Sequence, residues 1–336
     1  MTVAKGKSKP SHTDQHIIPK CYIKAWSDSS ILNEANNQPF KIPHIWIYNK
    51  ENHECNHFPI KTNFTKEDFY TIYNEKEERD LTIEHELDRV EGKFDWIRDN
   101  KLLQNKPLTQ EEFTLLCLFI ATMSSRTESR INHFKQMFKP LQEKLQSMVN
   151  ISEEKIQNYS KTTRNTNNEN DSSDTISLEE LNEVIDKPLE NIMVTFVNVL
   201  LKEFVNLKMA VFYTKNPIGF ITSDNPCVWY DSQAQLRAPI YQVPALKYDS
   251  IEIILPVSPS HCILLNKKIE GYIDIDTDPN SLSRINSIMY EHTEQKYISN
   301  NSKFKFKEKS IKEKLIDYHK KYDNFLSKLI GLILKY

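Results

Sequence analysis

The chain has 336 residues, of which 39% are hydrophobic and 10% aromatic. Its 44 basic and 46 acidic residues leave a net charge of −2, which excludes a global electrostatic field that attracts nucleic acid or anionic membranes. This length and composition predict a folded protein with a well-buried core. The sequence has only five glycines, which argues against a glycine-rich phosphate loop.

The five cysteines are scattered along the chain and odd in number, a pattern typical of reduced thiols in a core. The first residues lack the apolar run of a signal peptide. The longest apolar stretches, FTLLCLFIATM and LIGLILKY, are too short to span a membrane. We therefore expect a soluble cytoplasmic protein without a membrane partner.

The first half of the chain is predicted to be mainly helical. Residues 1–15 are typical of a flexible basic leader, and Pro19 begins a short helix that ends near Trp26. The segment HIWIYNKENHECNHFPIKT predicts a β-hairpin, and the next apolar spacing predicts a helix from about Thr82 to Asp99. A capping box of Thr109 and Glu112 then starts one long helix through FTLLCLFIATMSSRTESRINHFKQMF.

The second half is predicted to begin with a polar insert at 157–175, which is mobile because it has few apolar side chains to offset the entropy of ordering. Ser177 and Glu180 form a second capping box, which opens helical segments that end near Leu207. Strand patterns follow in MAVFYT, GFITSD, SIEIILPV and HCILLN, and an amphipathic helix ends the chain. The prediction is an α+β fold in which 16–336 form one domain, with a helical N-terminal half packed on a mostly antiparallel C-terminal sheet.

The stretch DQHIIPKCYIKAW, residues 14–26, is similar to the opening of an HNH endonuclease finger, in which a histidine activates the attacking water. Such a finger continues with a loop, an asparagine and a metal-binding histidine in close succession. Here Pro19 leads into a helical pattern, and the next histidine along the chain is His44. The spacing therefore disfavours an HNH finger.

Two other patterns suggest chemistry. In HECNH, the side chains of His53, Cys55 and His57 would share one face of a strand and suit a metal ion, although we favour a polar hairpin edge. Arg126 and His133 have the spacing of the Arg…His motif of HEPN ribonucleases, and on one helix they would lie two turns apart. A solvated helix surface is the simpler interpretation of that pair.

Six segments occur in a fixed order: QHIIPKCYIKAW, EHELDRVE, RTESR, FITSDNP, LPVSP and NSLSRINSIMYEHTEQKYIS. Together they resemble a bacterial family catalogued as domain of unknown function 4238. The residues that match its pattern are His16, Pro19, Lys20, Tyr22, Glu84, Leu87, Val90, Glu91, Arg126, Thr127, Arg130, Thr222, Ser223, Asp224 and Pro226. The residues that depart from it are Ile23, Trp26 and Glu128. Some members are similar to anti-phage genes on mobile elements, which implies a role in defence.

The matched polar residues define a predicted site. Glu84 and Glu91 share one helix face, and a carboxylate at a core margin requires a cation. We expect one catalytic cleft, formed by His16, Lys20, Glu84, Arg126 and Asp224. Supporting residues behind it would be Glu91, Arg130 and Ser223. The alternative is an internal Glu–Arg network that serves only the fold.

The leading functional hypothesis is a cytoplasmic anti-phage effector that hydrolyses phosphodiester bonds. His16 would act as general acid or base, and Lys20 and Arg126 would hold the phosphate. Glu84 and Asp224 would bind a divalent metal such as Mg²⁺, if the reaction uses one. A non-enzymatic sensor of a phage component and an enzyme for a small phosphorylated metabolite remain open. The acidic charge balance weighs against nucleic acid, and the segment KFKFKEKSIKEK is the local basic patch in its favour.

Overall fold

The computed structural model describes residues 13–28, 30–33, 38–73, 78–159, 182 and 188–304. Residues up to Asn300 belong to one compact unit. A second unit begins at Asn301, whose carbonyl accepts the Phe304 N–H (3.3 Å). Several predicted features lie outside the described residues: the leader up to residue 12, the insert from residue 160, the second capping box and the C-terminal helix.

Six α-helices and fifteen strands are found in the described part of the chain. The helices are α1 (Lys20–Ile23), α2 (Thr82–Asn100), α3 (Gln110–Ser125), α4 (Glu128–Tyr159), α5 (Pro188–Phe204) and α6 (Pro279–Glu291). The strands are β1 (Asp14–His16), β2 (Leu32–Asn33), β3 (Gln38–Pro39), β4 (His44–Asn49), β5 (Cys55–Pro59), β6 (Thr65–Glu67), β7 (Ile72–Tyr73), β8 (Arg79–Asp80), β9 (Lys208–Tyr213), β10 (Thr222–Ser223), β11 (Val228–Asp231), β12 (Ile251–Ser258), β13 (His261–Asn266), β14 (Gly271–Asp274) and β15 (Lys296–Ser299). None of these helices is both long and apolar enough to cross a bilayer.

Two larger sheets organise the strands. The first has the order β11-β12-β13-β9-β14 and is antiparallel except for the β9–β14 pair. The second, β10-β15-β4-β5, is antiparallel throughout. Its register places Tyr48 of β4 opposite Tyr297 of β15, and their rings stack with centroids 4.9 Å apart. The N-terminal hairpin is thus part of a sheet that the C-terminal half completes.

Helices and strands from both halves of the chain pack together in one hydrophobic core. Phe119 of α3 stacks on Phe94 of α2 with ring centroids 3.7 Å apart. Tyr22 of α1 is fully buried; its hydroxyl donates to the Pro256 carbonyl (2.7 Å) and bonds the Thr222 hydroxyl (2.7 Å). These contacts fix α1, and with it the preceding residues 16–19, against α3 and the C-terminal strands.

The predicted α+β class is confirmed, as are several elements. α1 with the 3₁₀ turn Lys24–Trp26 covers the first predicted helix, β4 and β5 form the hairpin, and α2 matches its predicted range. The capping box before α3 is present, since Glu112 N–H donates to Thr109 Oγ1 (3.2 Å) and Glu112 Oε2 accepts the Thr109 N–H (2.7 Å). Three predicted strands correspond to β9, β12 and β13.

The prediction of one long helix after Thr109 is wrong, because the helix is interrupted between α3 and α4. The Ser125 hydroxyl donates to the Ala121 carbonyl (2.6 Å), a bond that competes with the helical ladder. The Thr127 hydroxyl accepts the Arg130 N–H (3.3 Å) and so caps a new helix. The break leaves Arg126, at φ −103° and ψ 5°, outside both helices.

Smaller differences occur at element boundaries. Residues 14 and 15 of the predicted leader lie in β1, where the buried Gln15 amide donates to the Thr71 hydroxyl (2.9 Å). α4 continues to Tyr159, into the start of the predicted insert, and the strand expected in GFITSD is limited to β10. The division into a leader and a single domain remains a prediction.

Candidate functional site

The HIIPK stretch is a strand end followed by a helix start. His16 ends β1 and lies opposite Thr65 of β6, and Ile17 N–H continues the pairing by donating to the Phe64 carbonyl (2.8 Å). The side chains of Ile17 and Ile18 are buried and anchor the turn. Lys20 is the first residue of α1 and is exposed. The backbone therefore holds His16 and Lys20 at fixed positions, one facing inward and one facing solvent.

Arg126 is the most deeply buried charge of the site, with 1% of its side chain exposed. Its Nη1 donates to Glu91 Oε1 of α2 at 2.8 Å. The Nε and Nη2 atoms are also buried and have no hydrogen-bond partner among the described residues. An unpaired buried donor costs about 1–3 kcal/mol, and more when it is charged. Two such donors on one guanidinium fit an anion that accepts both.

His16 is half-buried and uncharged at neutral pH. Burial, together with the positive charges of Lys20 and Arg126, lowers the pKa of its imidazole to about 4, against a smaller opposing effect of the Ile60 carbonyl. The Nε2 atom is buried without a partner among the described residues. In the tautomer that carries its proton on Nδ1, the Nε2 lone pair is available to accept a proton.

Glu84 of α2 differs from an ordinary surface carboxylate. Burial, with the negative charges of Asp88 and Glu91, raises the pKa of Glu84 to about 6, although Arg126 and Lys20 oppose the shift. The side chain is half-buried and therefore remains accessible to solvent. A carboxyl group with this pKa releases and accepts a proton near neutral pH.

Tyr70 belongs to this cluster, although sequence analysis did not identify it. It is fully buried, and its hydroxyl lies 3.5 Å from the His16 carbonyl. Burial raises the pKa of the Tyr70 phenol well above its usual range, against the positive charge of Arg126. The short strand pairing of β1 with β6 brings Tyr70 here, and its own segment carries no periodic pattern that could have predicted it.

Cys21, one residue after Lys20, also borders the site. Burial and the negative charges of Glu91 and Asp95 raise the pKa of its thiol to about 12. The sulfur is 3.8 Å from the Glu91 carbonyl oxygen. A thiol that stays protonated at neutral pH is a poor nucleophile, so Cys21 packs against the site and supplies no reactive group.

Five of the predicted residues are thus within electrostatic reach of one another: His16, Lys20, Glu84, Glu91 and Arg126. Asp224 has different partners. Its carboxylate accepts the backbone N–H groups of Glu294 (2.9 Å), Gln295 (2.7 Å) and Lys296 (2.8 Å). Burial raises the pKa of Asp224, against the three backbone N–H groups, which lower it. Asp224 therefore stabilises the turn before β15, and its place in the cleft stays a prediction.

Arg130 and Ser223 also lie apart from Arg126. Arg130 Nε donates to the Ser124 carbonyl (3.1 Å), and its guanidinium stands 5.5 Å from the ring centre of Trp229. Burial lowers the pKa of Arg130. The buried Ser223 hydroxyl accepts the Asn225 N–H (3.1 Å) inside its own turn. Both residues stabilise local structure, and their role behind the cleft stays a prediction.

The structure does not support the metal site suggested by HECNH or the Arg…His motif suggested by Arg126 and His133. His53 lies before β5 with a positive φ of 57°, so it does not share a strand face with Cys55 and His57. Arg126 lies between helices while the exposed His133 belongs to α4, so the one-helix geometry of the HEPN interpretation is absent. Within the described ranges, no group of three or more His, Cys, Asp or Glu side chains is arranged to hold a metal ion.

Comparison with known proteins supports the resemblance found in the sequence. A family model with the description "Protein of unknown function (DUF4238)" matches residues 14–304, which include every residue of the predicted site. No curated protein and no solved structure matches the chain. The family match covers well over half of the sequence and begins at the strand that carries His16. The chain therefore belongs to the DUF4238 family.

Proposed function

We propose that this site binds a phosphate ester and hydrolyses it by acid–base catalysis, with phosphodiester bonds of nucleic acid as the substrate. The observation that carries the proposal is Arg126, a buried guanidinium beside a neutral histidine, whose Nε and Nη2 atoms have no partner in the described part of the chain. A planar guanidinium donates to two oxygens of one phosphate at once, which suits both unpaired atoms. Lys20 adds a second positive charge on the solvent side.

The roles of the acid and the base follow from the opposite pKa shifts. A pair of groups whose pKa values are pushed apart marks the general base and the general acid. His16, with a pKa of about 4, is the base, and its Nε2 accepts a proton from the attacking water. Glu84, with a pKa of about 6, is the acid. As the water oxygen bonds to phosphorus, the bond to the leaving oxygen breaks and Glu84 protonates that oxygen.

A small phosphorylated metabolite is the second candidate, and the burial of Arg126 favours it. A side chain that is 1% exposed receives a compact phosphate group more easily than a long polymer. We place either activity in the cytoplasm, because the five cysteines are free thiols. The role in anti-phage defence rests on the family resemblance, and a sensor that binds a phosphorylated phage component would use the same donors without catalysis.

The test uses two histidines that resemble each other in environment. His261 is buried, and its pKa is lowered to about 4 as well, but its Nδ1 and Nε2 have partners in Ser260 (2.8 Å) and Asn105 (3.2 Å). Purified wild type, His16→Asn and His261→Asn are assayed with single-stranded DNA, RNA and a small phosphomonoester. We expect cleavage that His16→Asn lowers by at least about 100-fold and His261→Asn leaves unchanged.

Each outcome separates the candidates. Cleavage of the phosphomonoester alone selects the metabolite enzyme. Absence of cleavage, with a rise of Tm in phosphate that Arg126→Lys abolishes, selects the binding protein. Equal activity of His16→Asn and wild type removes His16 as the base. A parallel phage challenge of cells that express wild type or His16→Asn tests the defence role, and equal protection by both would contradict a catalytic mechanism for it.

A further inference from the structure

A second feature of α2 lies outside the site, in the cleft between α2 and the start of α3. The cleft has a volume of about 670 Å³, within the usual range for small-ligand sites, and Asp88, Arg89, Gly92, Lys93 and Trp96 line it from α2. Trp96 is 52% exposed. A half-exposed indole beside two cations offers a flat apolar face and positive charge to one ligand.

Gly92 supplies an independent observation. It lies in the middle of a 19-residue helix, where glycine is destabilising relative to alanine. No crowding requires glycine here, because a Cβ atom built at this position would meet nothing within 4 Å. The helix therefore has a bare stretch of backbone at the floor of the cleft, open to a flat group that lies against it.

We infer that this cleft binds a nucleobase of the substrate, stacked on Trp96 over Gly92, with Arg89 and Lys93 placed for the adjoining phosphates. The inference rests on the proposed function and names its substrate class as an oligonucleotide. Every base has a π-face that stacks on an indole, so the cleft selects for the presence of a base more than for its identity.

The cleft and the phosphate site are neighbours along α2. Asp88 lines the cleft and, one helical turn from Glu84, is one of the charges that act on that carboxyl group. Glu91, which pairs with Arg126, directly precedes Gly92. At 3.6 residues per turn, Gly92 and Trp96 lie about 100° or more around the helix from Glu91. A strand that reaches both Arg126 and Trp96 therefore has to follow the surface of α2 from one face to the next.

The cleft is lined by three carboxylates, Asp88, Glu111 and Glu112, beside the two cations, so the affinity is expected from stacking on Trp96 more than from charge. Glu112 is already engaged, since it closes the capping box with Thr109 and pairs with Lys101 at 3.1 Å. Arg89 pairs with Glu86 at 3.1 Å, but both side chains are largely exposed, so the pair is weak and leaves Arg89 free to turn toward a phosphate.

The experiment compares two ligands of equal charge, a four-nucleotide oligodeoxyadenylate and an abasic tetranucleotide that lacks all bases. Binding is followed by tryptophan fluorescence and by a label on the ligand, with full-length wild type, Trp96→Ala and Tyr241→Ala. Tyr241 is the matched control, because it is also an aromatic side chain with 52% exposure and does not line the cleft. Wild type is expected to bind the oligodeoxyadenylate about ten-fold more tightly than the abasic ligand. Trp96→Ala should erase the difference and Tyr241→Ala should preserve it.

Gly92→Ala gives a second test, because it should change Tm and oligodeoxyadenylate binding in opposite directions, which a purely structural role of Gly92 does not predict. A Cβ in open space should raise Tm, while the same atom intrudes on the stacked base and weakens oligodeoxyadenylate binding several-fold. Equal affinity of wild type for the two ligands, or an unchanged preference in Trp96→Ala, overturns the inference even if phosphodiester cleavage is intact. A Trp96-dependent base preference in a protein without cleavage activity supports the inference and contradicts the proposed hydrolysis.

Discussion

Arg98 and Arg126 are buried to nearly the same degree, with 4% and 1% of their side chains exposed, yet their surroundings differ. Arg98 donates to Asp99 (2.7 Å), to the Cys21 carbonyl (2.6 Å) and to Asp95. Arg126 donates to one carboxylate only, and two of its nitrogens are unpaired among the described residues. A guanidinium that only stabilises a fold is expected to be saturated, so the unsaturated one marks a place for a ligand.

The same contrast separates His261 from His16. Burial lowers the pKa of both imidazoles to about 4, so the shift alone does not distinguish them. Both ring nitrogens of His261 have partners, whereas Nε2 of His16 has none in the described part of the chain. Hydrogen-bond saturation therefore distinguishes His16 from His261, whereas the pKa shift does not.

The largest expected effect comes from lysine substitution of the two arginines. Arg126→Lys keeps a positive charge opposite Glu91 but loses the planar fork that presents Nε and Nη2 to one anion, so the free energy of unfolding should change little while cleavage falls by about 10²–10³-fold. Arg98→Lys breaks a saturated set of hydrogen bonds and should cost about 2 kcal/mol of stability with normal activity per folded molecule. Chemical denaturation and initial rates on the same preparations check both expectations.

The contrast between Arg98 and Arg126 is contradicted if both lysine variants lose the same property, either stability or activity. Loss of stability without loss of activity in Arg126→Lys would make Arg126 a structural residue like Arg98. A double variant, Glu91→Gln with Arg126→Lys, shows whether the remaining effect comes from the unpaired donors or from the ion pair, because it removes the carboxylate that the pair depends on.

The second prediction concerns pH. The folded-state pKa of His16, about 4, is below its unfolded value of 6.5, so between these values the unfolded state binds more protons and stability falls as pH decreases. The shift corresponds to on the order of 3 kcal/mol at most. His16→Asn should therefore flatten the pH dependence of unfolding between about pH 4 and 6.5, and His261→Asn should flatten it too, as urea denaturation at several pH values would measure.

The pH dependence of unfolding does not distinguish His16 from His261, but the pH dependence of activity does. With His16 as base and Glu84 as acid, kcat/KM of wild type should rise with a pKa near 4 and fall with a pKa near 6. Glu84→Gln should remove the upper limb, and His261→Asn should leave both limbs in place. An upper limb that persists in Glu84→Gln would assign the acid to another group.

The sequence was sufficient for elements with a regular period. α2 was predicted because Leu87, Phe94 and Ile97 recur on one helix face. The proximity of Glu84 and Glu91 to Arg126 was predicted because carboxylates at the margin of a core require a cation. The break at Arg126 was missed, because the apolar run before it continues smoothly into an amphipathic pattern. The interruption is caused by the hydroxyls of Ser125 and Thr127, which bond to the backbone. The hydrophobic periodicity of the sequence carries no information about such bonds.

Long-range partners account for the contacts that local patterns did not predict. Tyr70 reaches His16 through the pairing of β1 with β6, whose three-residue strands are too short to give an alternating signal. Asp224 was assigned to the cleft because strand ends often carry catalytic carboxylates. Its true partners are three amide groups that lie 70 to 72 residues further along the chain, and local patterns cannot reveal such a separation.

The smallest effect is expected from Asp224→Asn, which extends the comparison to carboxylates. Asp224 accepts hydrogen bonds from three N–H groups, whereas no donor to the Glu84 carboxylate is found among the described residues, and the pKa of Glu84 responds mainly to burial and charge. Asparagine has one acceptor oxygen and presents an amide N–H to donors, so at least one backbone group loses its partner. Unfolding should become easier by about 1–2 kcal/mol, with cleavage per folded molecule unchanged. Thermal denaturation and rates below Tm measure both, and a loss of activity at full stability would return Asp224 to the catalytic cleft.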